Sequence, residues 1–386
     1  MFDVMRREIN RLRGNKPFAV LVILLPVLIS ALISLIYSKG TIEEIPIGVY
    51  DSDRSEISRS IIRSLDAVSS LNVVRNFNSR DEMENSILKD EVKAALIFQN
   101  DFSLALKRGS AANVTLFSNN SNLIIGNIVY KQVVTVVRTY SGKVLVKKLI
   151  ANGMMKDEAA SFVRGVNLKV NPLFNTSYDY SRYLVSGLLP FFLQMIIMIS
   201  AAVIFNSEFK ENSFDDLLKI SRGKISSVML GKSLPYLLIH SANVFFVFGF
   251  LLPAFGIFNS GSVINLMALV IIFVLASFFV GFLISVILKD QMLATEVTLF
   301  INTPAFIFSG YTFPISAMPG LHSIFASALP FTHFLKGFMK SFLMGGSFSS
   351  IKPELLTLTL FFAAAFILVW GVLYYRVKDK YQPDAQ

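Results

Sequence analysis

The sequence predicts an α-helical polytopic membrane protein of six transmembrane helices, with an α/β extracytoplasmic domain inserted between helices 1 and 2 and short re-entrant helices between helices 5 and 6. Three observations predict it. Of the 386 residues, 53% are apolar and only 16% are charged, against about 25% charged in ordinary soluble domains. The apolar residues gather in runs of about 20, the length that crosses roughly 30 Å of hydrocarbon at about 1.5 Å per residue. A single stretch, residues 38–182, has instead the mixed texture of a folded aqueous domain and is long enough to bury its own core.

Residues 1–16 set Phe2, Met5, Ile9 and Leu12 at three- and four-residue intervals among Arg6, Arg7, Arg11 and Arg13, the pattern of a basic amphipathic helix lying on the inner leaflet. The spans follow at 17–37, 183–205, 233–255, 263–288, 292–313 and 355–375. The first has too long an apolar run for a cleaved signal and no convincing small-x-small site after it, so it reads as an uncleaved anchor. Within 38–182, strands are predicted at 45–50, 71–77, 93–99 and 113–118, separated by helices at 55–65, 80–89 and 101–107, which implies an α/β unit. One long helix over 122–151 and a shorter one over 156–164 precede an extended return to the membrane through 170–174. Between the last two spans, 321–331 and 334–344 are apolar but too short to cross, with Pro330, Lys336 and Lys340 interrupting them; these are the expected re-entrant helices.

The formal charge of +10 records orientation and not a nucleic-acid partner. The segments before residue 17, at 206–232, at 289–291 and after 375 hold 14 Lys and Arg in 57 residues, whereas 38–182 and 314–354 hold 22 in 186. That bias places both termini and the 206–232 loop in the cytoplasm and the large insert outside. The tail, 376–386, is then cytoplasmic as well.

Chemistry finds little to stand on. The absence of cysteine removes disulfide and thiolate chemistry, and the histidines are only His240, His322 and His333. Gly231-Lys232-Ser233 imitates the end of a phosphate loop, but Ser226 stands where the pattern needs glycine and Lys232 opens a membrane helix. No catalytic triad or metal-ligand spacing emerges, so no catalytic residue, metal or cofactor is assigned. Asp51, Asp53 and Glu56 fall where a strand ends and a helix begins, which is a capping position. Inside the spans, His240, Asn243, Glu296 and Asn302 are polar groups that either bond a neighbouring helix or face a translocation path. Glu296 can also snorkel toward water or pair with Lys289. In the 206–232 loop, Phe214, Leu217 and Leu218 recur at helical spacing after Glu208, Phe209 and Glu211, giving a short amphipathic helix that faces the membrane surface or a cytoplasmic protein.

These residues together resemble the membrane subunit of a type-2 ATP-binding cassette (ABC) exporter with a large outer domain after its first span. Ile47-Gly48-Val49-Tyr50-Asp51-Ser52-Asp53 resembles the family's opening strand, and residues 94–103 resemble its "alxIPxdFS" segment with Gln99 in place of Pro. Glu208, Glu211 and residues 213–218 resemble the "E-R-E-x-G-T-x-E-x-L" stretch, with Lys210 for Arg, Asn212 for Gly and Asp215 or Asp216 for the later Glu. Leu230-Gly231-Lys232 with Pro235-Tyr236 resembles "lGK-x-x-PY", and residues 308–319 with Leu329-Pro330 resemble "lSGfxFPxxxMP...P".

The resemblance implies a permease that pairs with a second copy or a paralogue and with cytoplasmic ABC ATPase subunits that hold ATP and Mg. Its coupling helix would comprise Glu208, Phe209, Glu211, Phe214, Leu217 and Leu218. It also implies a bacterial inner-membrane location, an outward-moving lipophilic cargo such as a drug or lipid, and a periplasmic adaptor where the cell has two membranes. An extracytoplasmic receptor or sensor and a secondary transporter are the competing readings.

Overall fold

The computed structural model describes residues 1–165, 168, 170–176 and 179–381, and its contacts separate a unit formed by Thr41–Pro172 from the rest of the described chain. Residues 382–386 of the expected tail lie outside the described residues.

The chain begins with helix α1 (Phe2–Gly14). At Asn15 the direction changes, and the Asn15 side chain accepts the amide of Phe18 to start the next helix, with Pro17 in its first turn. That helix, α2 (Lys16–Ile36), is long and apolar enough to cross a membrane and widens into a π-turn over Val20–Leu24. The widening precedes Pro26, which has no N–H for the Val22 carbonyl four residues back.

The Thr41–Pro172 unit is an α/β fold: β1 (Ile45–Asp51), α3 (Glu56–Asp66), β2 (Leu71–Asn76), α4 (Arg80–Leu88), β3 (Ala94–Phe98), α5 (Phe102–Arg108), β4 (Val114–Ser118), α6 (Leu123–Ala151) and α7 (Lys156–Arg164). The strands lie in the order β2-β1-β3-β4, with β1 parallel to β2 and β3 and with β4 antiparallel to β3. Alternation sorts the side chains to two faces. Ile47, Val49, Leu96 and Phe98 meet Ile61, Leu65, Phe102, Val129 and Val133 of the helices. On the opposite face Ala95 packs with Phe77, Met83 and Val92. Gly48 lies under the Phe77 ring, where a Cβ would stand 2.1 Å from Phe77 Cε2.

Helix starts here follow the sequence. Ser55 caps α3 on Ser58 N, Ser79 caps α4 on Glu82 N while Glu82 returns to Asn78 N, and Asn122 caps α6. Asp51 and Asp53 do not cap α3, where Ser55 takes that place: Asp51 accepts from Arg54 N and Ser58 Oγ, and Asp53 from Ser103 N and Oγ at the start of α5.

The chain then forms α8 (Tyr180–Ile204), α9 (Asn206–Lys210), α10 (Phe214–Ser221), α11 (Ile225–Ala254), α12 (Val263–Ile287), α13 (Gln291–Phe308), α14 (Gly320–Ser327), α15 (Pro330–Phe338) and α16 (Phe348–Tyr381). Among the described residues, five helices are long and apolar enough to cross a membrane: α2, α8 running on through α9, α11, α12 and α16. The stretch expected as the fifth span forms α13 over most of its length, but the 18 residues of that helix include Gln291, Glu296, Asn302 and Thr303, which keep it out of that set. Helix α12 sits at the centre against α8 and α16. A Cβ on Gly281 would stand 2.4 Å from Met198 O, so the α8 backbone approaches α12 only because glycine is there.

One sequence expectation changes at this level. Pro330 does not interrupt an apolar helix; it opens α15 and ends the preceding one at Ser327, because its fixed φ suits a first helical turn. The phenylalanines, 36 in the chain, are in large part packing. Phe273, Phe334, Phe338 and Phe342 are fully buried, and the last three stack in succession along α15 and the turn after it.

Candidate functional site

The 206–232 loop resolves into α9, α10 and the start of α11, and a buried charge network fixes it. Glu208 Oε1 and Oε2 each accept from Arg7 at 2.8 Å, while Arg11 and Lys232 reach Oε1 at 2.6 Å and Ser213 Oγ donates to Oε2 at 2.6 Å. Lys232 Nζ also bonds Glu8 Oε1 at 2.6 Å, and the Tyr236 hydroxyl donates to Glu8 Oε2 at 3.3 Å. The side chains of Glu8, Glu208 and Lys232 have 0% exposure. Isolated charges in such a place would be neutralised or expelled, but three cations here share two carboxylates with short, direct bonds. The hydrogen bond to Glu208 and the nearby carboxylates raise the Arg7 guanidinium above its ordinary value.

Helix α1 supplies Arg7, Glu8 and Arg11 to this network, so one of its faces packs on protein. Its buried face is Val4, Glu8 and Leu12, one turn apart, while Phe2 is 71% exposed. The apolar stripe read from Phe2, Met5, Ile9 and Leu12 is rotated from the face that packs, which shares only Leu12 with it. Gly231 permits the approach: a Cβ there would stand 2.7 Å from Val4 Cβ and 3.1 Å from Met1 O. A signal was available, since Glu8 is a carboxylate four residues from each of Val4 and Leu12. Its partner Lys232, 224 residues away, was not.

The residues expected to meet a partner divide into anchors and a surface. Phe214, Leu217 and Leu218 are buried in the chain's own core, as is Glu208, so none of these four presents a side chain outward. Phe209 is half-buried, with the Arg376 guanidinium 5.0 Å and Lys289 Nζ 5.8 Å from its ring centre. Glu211 is exposed and paired with Arg11 at 2.5 Å. The outward face of α10 is Asp215, Asp216, Lys219 and Ile220, residues that hydrophobic spacing passed over. Beside it lies a cleft of about 440 Å³ bordered by Glu208, Phe209, Asn212, Phe214, Asp215, Lys289 and Arg376.

The family description that matches residues 16–370 is "ABC-2 family transporter protein". The chain belongs to that family. Among curated relatives, the probable multidrug ABC transporter permease YbhR of Escherichia coli (strain K12) is 24% identical over 321 residues, covering 83% of each chain. The probable multidrug ABC transporter permease YbhS of the same organism is 20% identical over 364 residues, covering 92% of each. This ABC-2 family chain is therefore an ABC transporter membrane subunit, a multi-pass protein whose helices carry the apolar content that role requires.

Within that subunit the four polar residues considered for a path separate. His240 Nε2 lies 2.7 Å from Ser200 Oγ, whose hydroxyl donates to Ile197 O, so the imidazole donates between helices. Asn243 Nδ2 donates to Val22 O at 2.8 Å, taking the carbonyl that Pro26 leaves unpaired in α2. Asn302 accepts from Gln194 Nε2 at 3.0 Å and donates to Thr298 O. Glu296 alone of the four faces outward, and among the described residues it has no hydrogen bond or ion pair; Lys289 is over Phe209 instead.

Proposed function

We propose that this chain is the permease of an ATP-driven exporter and that α9 and α10 form the element through which a separate cytoplasmic ATPase drives it. The reading rests on one arrangement: a short helix between two long apolar helices, clamped at its base by Glu208 and turning Asp215, Asp216, Lys219 and Ile220 outward. A lever needs such a base, because a loose loop would absorb the motion that ATP binding produces. Six spans, with α13 as the fifth, then place both termini and α10 in the cytoplasm and the α/β unit outside, in line with the distribution of Lys and Arg. Two permeases, alike or paralogous, would enclose the path, and the "multidrug" in the relatives' names supports a lipophilic cargo.

Copurification of the tagged permease with the ATPase encoded beside it tests this. Asp216→Lys with Ile220→Asp is expected to abolish ATPase recovery while the permease keeps its melting temperature. Phe214→Asp should instead lower the melting temperature, because it places a charge in the core. Full ATPase recovery by the surface double variant would sink the coupling role. ATP-independent transport would favour a secondary carrier.

A further inference from the structure

We propose that Glu296 is the residue through which this permease recognises the positive charge of a lipophilic organic cation. The inference rests on the exporter reading above and names its substrate class.

Helix α13 buries one side, with Ala294, Thr298, Asn302 and Ala305 against its neighbours. The opposite side carries Met292, Glu296, Leu299, Phe300, Thr303 and Ile307, and Phe300 is 82% exposed. A carboxylate in that stripe is expensive if lipid covers it. Glu296 lies six residues beyond the capping Asp290, about 9 Å at about 1.5 Å per residue, so snorkelling relieves that cost only as far as its short stem reaches. Its cationic neighbour in sequence, Lys289, is engaged with Phe209. The other polar groups of the spans first considered for a path are satisfied by hydrogen bonds inside the subunit. What remains is an unpaired carboxylate beside an exposed aromatic ring and aliphatic side chains. An organic cation matches each part: the charge pairs with the carboxylate, the ring face attracts it, and the apolar body lies along Leu299, Phe300 and Ile307. The pairing is non-covalent, so the ligand can leave when the helices move.

The permease reconstituted with its ATPase tests this, with stimulation of ATP hydrolysis as the readout. Tetraphenylphosphonium is the cationic probe and triphenylphosphine oxide the neutral one. Glu296→Gln is expected to raise the half-stimulating tetraphenylphosphonium concentration by about tenfold or more, the scale of a lost charge-assisted contact. The response to the neutral probe should be unchanged, and Glu296→Asp should fall between. A Gln variant that answers tetraphenylphosphonium as the parent does overturns the proposal, as does a parent that ignores the cation or a variant that loses both responses together. Labelling separates this from failure of the exporter reading. The chain has no cysteine, so Glu296→Cys reports its own surroundings with no ATPase present. Reaction with a membrane-impermeant methanethiosulfonate, slowed by tetraphenylphosphonium, supports the site; an unreactive thiol overturns it. An ATPase that never copurifies would remove the motor while leaving the labelling result to stand.

Discussion

Lys232 Nζ lies 2.6 Å from Glu208 Oε1, and both side chains are sealed from solvent. The same ammonium bonds Glu8, so one lysine joins α1, α9 and α11. Without it Glu208 keeps Arg7 and Arg11, but Glu8 keeps only Tyr236 at 3.3 Å and the arginines at 3.8 and 3.9 Å. Lys232→Met is therefore expected to lower stability by about 3–5 kcal/mol, the usual cost of removing one partner from a buried ion pair. Thermal unfolding in detergent measures it. A loss below about 1 kcal/mol, the range of solvent-exposed pairs, would show that water reaches the network.

The contact between Gly231 and Val4 predicts how α1 can be released. A Cβ at Gly231 would stand 2.7 Å from Val4 Cβ, and the larger Gly231→Val should cost about 1–3 kcal/mol in overpacking. Since Arg6, Arg7, Arg11 and Arg13 lie on α1, trypsin reports its opening. Cleavage there should accelerate by about tenfold for each 1.4 kcal/mol lost. Unchanged cleavage would mean that α1 yields without leaving its site.

In the α/β unit, Gly48→Ala drives a methyl into the Phe77 ring. About 1–3 kcal/mol of destabilisation is expected, read as faster amide hydrogen exchange in β1 and β3. Adding Phe77→Leu should restore part of it. Failure of the second change to help would place the strain elsewhere.

Ser200 and His240 should couple weakly. Interhelical hydrogen bonds within a bilayer average about 0.6 kcal/mol and reach about 1.7 in double-mutant cycles. Ser200→Ala, His240→Leu and the double variant, compared by unfolding in detergent, are expected to return a coupling in that range. A value near zero would mean that the 2.7 Å contact contributes geometry and no net stability.

Local rules made much of this protein legible. The four strands, the helices between them and their caps at Ser55, Ser79 and Asn122 follow from alternation and short-range hydrogen bonding, which neighbouring residues determine. Pro330 was legible in kind but misread in use, because a proline marks a helix start as well as a stop. The candidate site was legible only in position. Hydrophobic spacing picked out Phe214, Leu217 and Leu218, and these proved to be the side of α10 that faces inward. The outward residues, Asp216 and Lys219 among them, resemble any solvated helix face.

By itself the sequence determined a membrane chain with one inserted α/β unit and a loop between two long apolar helices, since these depend on composition and on spacings within a few turns. Tertiary structure alone decided what Glu8, Glu208 and Lys232 do. Charges far apart in the chain are indistinguishable from solvated ones until folding removes their water, and only their mutual contact then makes burial tolerable. The same test, applied to Glu296, leaves a carboxylate that folding supplied with no partner among the described residues.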